Sequence, residues 1–196
     1  MKIYDISQEV FSCAVYPGDS APEKQTLYST EEGDLYNLTA FAMCAHNGTH
    51  IDAPFHFLSK GKTVEEMELT HFVGDCFVAR HQGDVTAQDA EIILDRACGA
   101  QRILIAGEAT VTSEASEVFA RSSIKLLGNE GQTVGPEDAP MQVHLILLKQ
   151  EIVLLEGIVL KDVPEGHYFL SAAPLNLGGA DGAPCRAYLI DWEKNG

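Results

Sequence analysis

The sequence predicts an α/β domain with a mixed sheet, on two observations. Through the middle of the chain, short apolar runs of β-type composition alternate with helical patterns in the order βαβαβα. Both ends of the chain are β-rich, with no helical pattern between their runs. No repeat, low-complexity tract or linker interrupts the 196 residues, a length that suits one domain over 1–196 with a substantial core.

Each element has its local reason. Residues 2–6, KIYDI, open as a strand. Residues 38–46, LTAFAMCAH, fill both parities with apolar side chains, the pattern of a strand buried on both faces. FVGDCFVAR (72–80) is a further strand. A helix follows in VTAQDAEIILDRACG, with Thr86 as N-cap, Asp89 three residues on and Gly99 as the stop. RILIAG (102–107), IKLLG (124–128) and IVLLEG (152–157) are strands, separated by helices over 112–122 and 140–151. HYFLSAAP (167–174) and CRAYLIDW (185–192) close the chain as strands.

Composition narrows the function classes. The net charge of −16 opposes nucleic acid or an anionic membrane as a partner, since both require basic patches. No apolar run approaches the roughly 20 residues that span a bilayer. The start, MKIYDISQEV, has no signal-peptide core and runs into a strand. Five cysteines, at 13, 44, 76, 98 and 185, form an odd set without a CxxC pair. Most have apolar neighbours, so the expectation is reduced core cysteines in a cytoplasmic protein. Neither Cys44 nor Cys76 has a motif that would activate a thiolate.

The chemistry concentrates in CAHNGTHIDAPFHF (44–57), which holds His46, His50, Asp52 and His56. The four-residue spacing of His46 and His50 suits a helical metal motif, but Asn47-Gly48, the β-branched Thr49 and Ile51, and Pro54 oppose a helix. The expected arrangement is a turn at Asn47-Gly48 followed by an extended piece, on which His50 and Asp52 point the same way. The turn returns His46 to them, and Pro54 redirects the chain so that His56 faces the same space. Imidazoles converging with a carboxylate make a metal site with open positions. Ile51, Phe55 and Phe57 imply a partly buried segment, which disfavours a chance cluster of surface histidines. His56, beyond Pro54 and off the His50–Asp52 face, is expected too far from His46 for a compact ligand shell.

The motif H-x3-H-x-D-x-P-x-H resembles the signature of the cyclase family of metal-dependent hydrolases, which includes bacterial kynurenine formamidases and isatin hydrolases. VYPGD (15–19), LLGNEGQTVGP (126–136), HLILLKQEIVLLEGI (144–158) and LNLGGADGAPCRA (175–187) are similar to further family segments. The resemblance implies a swivelling β/β/α fold and a metal centre at His46, His50 and Asp52. It adds His144 and Glu156 as a second metal site and makes His56 the acid–base residue. Homodimers or homotetramers, and a possible place in tryptophan catabolism, come with it. Two departures fall on the substrate side: Tyr16 stands where tryptophan is usual, and residues 107–123 lack an aromatic segment seen in the formamidases. Tyr16 and Phe57 are the candidate substrate contacts.

Taken alone, His144 in an apolar helix reads as a core histidine, whereas Glu156 ending an apolar strand needs a partner or an ion. Gly178, Gly179 and Gly182 read as a turn, since no strand-to-helix context makes them a phosphate cradle. His71, His81 and His167 read as surface residues. The expected activity is hydrolysis of a C–N amide bond, in an N-formyl-arylamine such as N-formylkynurenine or a small cyclic amide, by metal-activated water. Imidazole and carboxylate donors favour zinc, one ion or two, with manganese or iron as alternatives. A non-haem iron oxygenase using His46, His50 and Asp52, or a non-catalytic metal-binding protein, are the rival readings.

Overall fold

The computed structural model describes residues 1–192. Among the described residues, thirteen strands and three α-helices follow one another. The strands are β1 (Lys2–Asp5), β2 (Glu23–Tyr28), β3 (Leu38–Ala42), β4 (His50–Asp52), β5 (Val73–Arg80) and β6 (Gly83–Val85). After helix α1 (Ala87–Ala97) come β7 (Arg102–Ala106) and β8 (Ala109–Val111), then α2 (Ser113–Ala120) and β9 (Leu126–Asn129). Helix α3 (Met141–Leu148) leads to β10 (Val153–Glu156), and β11 (Gly166–Ser171), β12 (Gly182–Pro184) and β13 (Tyr188–Asp191) end the fold.

Nine strands form one sheet in the order β1-β13-β11-β5-β7-β9-β10-β4-β12. The central β5, β7, β9 and β10 run parallel, and the flanking pairs are antiparallel. The expected α/β class with a mixed sheet is therefore observed. Helix α1 starts where the capping pair places it: Thr86 Oγ1 accepts from Asp89 N–H and the Asp89 carboxylate accepts from Thr86 N–H. Its break begins one residue before Gly99, with Cys98 at φ 48°.

The central strands are buried on both faces, and residue parity sorts their side chains into two cores. Ile103, Ile105, Leu127 and Leu154 face the helices, where they pack with Phe119, Val143 and Leu147. Leu104, Leu126, Val153 and Leu155 face the other side with Ile6, Phe72 and Leu160. On β10 this parity continues to Glu156, which shares the helix side with Leu154. The strand thus carries a carboxylate toward α3.

Two expectations need correction. The segment 38–46 is not buried on both faces: β3 pairs only with β2 in a separate two-stranded ribbon, and most of its residues are exposed. Apolar content at both parities records that a surface wants covering, without saying which element covers it, and among the described residues no second layer does. The cysteines are likewise less buried than expected. Cys76 is in the core, Cys13, Cys44 and Cys185 are half-buried, and Cys98 is exposed because it occupies the left-handed helix end. Cys44 Sγ donates to Asp19 Oδ2 at 3.7 Å instead of packing in the core. No helix among the described residues is long and apolar enough to cross a membrane.

Candidate metal centre

The site grows out of strand register. β4 lies between β10 and β12, with His50 opposite Glu156 and Asp52 opposite Gly182. Residues directly opposite share a face, so His50, Asp52 and Glu156 project together toward α3. Helix α3 supplies His144, which shares the buried side of the helix with Val143, Leu147 and Leu148. All four side chains are almost fully buried, between 1% and 2% exposed. A turn at Ala45-His46, closed by Asn47 N–H to Cys44 C=O, brings His46 back, and a 3-10 turn over Pro54–His56 delivers His56.

Distances distinguish ligand spacing from hydrogen bonding. His50 Nε2 stands 3.4 Å from Asp52 Oδ1 and 3.6 Å from Glu156 Oε2. His144 Nε2 stands 3.4 Å from Asp52 Oδ2 and 3.3 Å from Glu156 Oε1. Donors at about 2.0–2.1 Å around a tetrahedral ion are about 3.3–3.4 Å apart, longer than a charge-assisted hydrogen bond. Asp52 lies at the middle, and its buried Oδ2 accepts no hydrogen bond. A buried carboxylate oxygen without a hydrogen-bond partner is costly unless a cation or a water satisfies it. The outer nitrogens are committed to the backbone: His50 Nδ1–H donates to Gly48 C=O at 2.9 Å and His144 Nδ1–H to Pro140 C=O at 2.8 Å. Both rings therefore present an unprotonated Nε2 to a cation. The donor set fits a divalent metal.

The electrostatics agree. Burial favours neutral imidazole at His50 and His144, yet the surrounding Asp52 and Glu156 carboxylates outweigh it and raise each to about 10. Burial would raise Asp52, but the imidazoles of His144, His46 and His50 hold it well below the usual carboxylate range. Without an ion the centre takes up protons; a cation replaces them.

His46 differs from the other two histidines, because both its nitrogens are engaged at hydrogen-bond length. Nδ1 is 2.8 Å from Asp52 Oδ1 and Nε2 is 2.9 Å from Asp181 Oδ2. His56 corrects an expectation: its ring lies 4.1 Å from that of His46, centroid to centroid, and its Nε2 is 3.9 Å from Asp52 Oδ2. The 3-10 turn at Pro54 folds His56 back over the strand instead of carrying it away. Distance alone thus does not keep His56 out of the ligand shell.

The centre opens into a cavity of about 260 Å³ walled by Tyr16, Phe57, Gln132 and Pro140. Phe57 packs on the His144 ring at 4.7 Å, and the Tyr16 hydroxyl donates to Glu137 C=O at 2.8 Å. A larger cavity of about 850 Å³ opens between Phe11, Phe41 and Tyr188, with no histidine in its wall. The chemistry is therefore in the smaller one. Glu130 serves the scaffold, accepting from Gly107 N–H and Leu160 N–H. His71, His81 and His167 lie outside the cluster, the first two donating to the backbone carbonyls of Glu68 and Asp84. Asp181 is the residue that sequence reading missed, although it stands inside the Gly-Ala-Asp-Gly run.

Comparison with known proteins gives the same answer from outside. Residues 4–134 match the family model described as "Putative cyclase". The chain belongs to the cyclase family. It is 32% identical to a kynurenine formamidase of Erythrobacter litoralis, across 96% of this chain and 93% of that one. It is 33% identical to a kynurenine formamidase of Salinibacter ruber, across 97% and 98%. Among solved structures, a "potential metal-dependent hydrolase with cyclase activity" superposes with a TM-score of 0.81 at 28% identity over 96% of both chains. Isatin hydrolase A of Labrenzia aggregata shares the fold, at TM-score 0.83 and 18% identity over 96% and 93%. This cyclase-family chain is a metal-dependent hydrolase, as its motifs implied.

Proposed function

We propose that the protein hydrolyses the C–N bond of an N-formyl-arylamine or a small cyclic amide. The observation that carries this reading is Asp52, whose two oxygens face separate groups of donors while Oδ2 has no hydrogen bond. In this reading His46, His50 and Asp52 hold one divalent ion, and Asp52, His144 and Glu156 a second. Zinc is the proposed metal and manganese the alternative, on the imidazole and carboxylate donors. An ion held there would supply an acidified water and a polarised amide carbonyl.

The chain's own residues do the rest. His56 Nε2 faces the centre and takes a proton from the attacking water, then returns it to the departing amine. His56 Nδ1 is tied to Asp181 at 3.1 Å, so the ring is held with Nε2 inward. Tyr16 and Phe57 flank the cavity and supply apolar surface to an aromatic ring. Its volume of about 260 Å³ suits a small substrate. Kynurenine formamidase relatives at 32% and 33% identity support a formyl group over other acyl groups.

The protein acts as a homodimer or homotetramer in this reading, supported by the exposed β2–β3 ribbon. Leu27, Tyr28, Leu38 and Phe41 are all at least 39% exposed there, and an isolated two-stranded ribbon is marginally stable without cover. Five free cysteines support a cytoplasmic location. The deciding experiment is a hydrolysis screen of N-formyl-arylamines, isatin and cyclic imides with metal-loaded protein. Turnover of the formyl compounds is expected; inertness toward every amide tested would overturn the proposal.

A further inference from the structure

We propose that Asp181 is a positioning residue that fixes both His46 and His56 over the metal centre through one carboxylate oxygen. The inference rests on the roles given to those histidines above. Asp181 Oδ2 lies 2.9 Å from His46 Nε2 and 3.1 Å from His56 Nδ1. An ionised carboxylate only accepts, so each of these nitrogens carries the proton. The consequence is the same for both rings: the other nitrogen turns inward. His46 Nδ1 then faces Asp52 Oδ1 at 2.8 Å, and His56 Nε2 faces Asp52 Oδ2 at 3.9 Å. One acceptor on the far side of two rings thereby orients a proposed ligand and selects the tautomer of the proposed base.

The acceptor is itself held. Asp181 C=O accepts from Ala53 N–H at 2.9 Å, which ties it to the exit of β4. The next residue, Gly182, opens β12 opposite Asp52. A Cβ at Gly182 would come within 2.7 Å of His46 Cε1 and 2.6 Å of Ile51 C=O, so only glycine lets this backbone approach the His46 ring so closely. The two rings stack at 4.1 Å with 33° between their planes, which leaves one carboxylate oxygen within reach of both. A carboxylate serving only to dock the 177–182 loop would have no need of two imidazole partners.

The test compares Asp181→Ala and Asp181→Asn with the parent by two readouts. Long-range ¹⁵N–¹H NMR on histidine-labelled, zinc-loaded protein reports the tautomer of His56 at alkaline pH. The parent should show Nδ1–H with a bare Nε2, and Asp181→Ala should lose that preference. Turnover of an N-formyl-arylamine should fall about 10–100-fold in Asp181→Ala, the usual cost of removing a histidine's outer partner, with KM changed less than about two-fold. Asp181→Asn, whose amide oxygen still accepts, should keep the tautomer and recover most of that loss. An unchanged His56 tautomer in Asp181→Ala, or turnover within about two-fold of the parent, would overturn the proposal. Should the parent itself leave the formyl substrate intact, the functional reading fails, and the tautomer measurement still decides the role of Asp181.

Discussion

The β4–β10–β12 seam and the β2–β3 ribbon are both short-stranded, yet they treat their surfaces in opposite ways. The seam buries His50, Asp52, His144 and Glu156 to 2% exposure or less, polar groups that no core accepts without compensation. The ribbon leaves Phe41 and Tyr36 56% exposed, apolar groups that water does not favour. Each is an apparent violation of the inside–outside rule, and in the reading proposed above the first holds an ion and the second meets another copy of the chain. Burial against type is thus a functional signal, and its sign tells which kind of ligand to look for.

The comparison can be broken most sharply at Asp52, which faces both donor groups. Asp52→Ala should abolish metal retention and reduce turnover to background. An active Asp52→Ala would mean the seam is an ion-pair network only. Next in size is His56→Asn, expected to fold normally, keep its metal and lose about 10²–10⁴ in turnover, the range for general acid–base catalysis. Since His56 lies within reach of Asp52, loss of metal with activity would move it into the ligand shell.

A third effect is thermal. In metal-free protein His50 and His144 are raised from 6.5 to about 10 by Asp52 and Glu156, so the folded state binds more protons than the unfolded. That stabilisation is complete below pH 6.5 and is lost as pH rises toward 10. The unfolding midpoint of metal-free protein should therefore drop by several degrees across this window, while the protection given by added zinc grows as protons cease to compete. A flat metal-free profile in calorimetry would show the histidines neutral from the start. The smallest effect on catalysis belongs to the ribbon: Phe41→Asp should shift the assembly toward monomer in sedimentation while metal content stays at the parent's value. If the ribbon faces only water, the substitution changes stability by about 0.5 kcal/mol or less and leaves the assembly alone.

What the sequence disclosed follows the same division. His50 and Asp52 were legible because a strand's period of two is local, and Pro54 with Asn47-Gly48 excluded a helix. The parallel core was legible because 103–106 and 152–155 are continuously apolar and each follows a helical pattern. His144 became a candidate only through family resemblance, since nothing local distinguishes an imidazole in MQVHLILL from a core residue, whereas Glu156 already called for a partner or an ion as a carboxylate ending an apolar strand. The ribbon was misjudged because LTAFAMCAH reports apolarity and says nothing of its cover. The closeness of His56 was misjudged because the tight 3-10 turn at Pro54 was unseen. Asp181 stayed hidden because its partners lie 135 and 125 residues earlier in the chain, a distance no periodicity spans.

The central claim is that this seam is a metal centre built on β4, and the direct measurement is metal content of the purified parent beside His50→Ala. His50 is 1% exposed, points Nε2 at both carboxylates and sits on β4 within the seam, so the substitution acts on the seam directly. The account predicts zinc or manganese near stoichiometric amount in the parent and most of it gone in His50→Ala. Full metal content in that variant, with the fold intact, would contradict it.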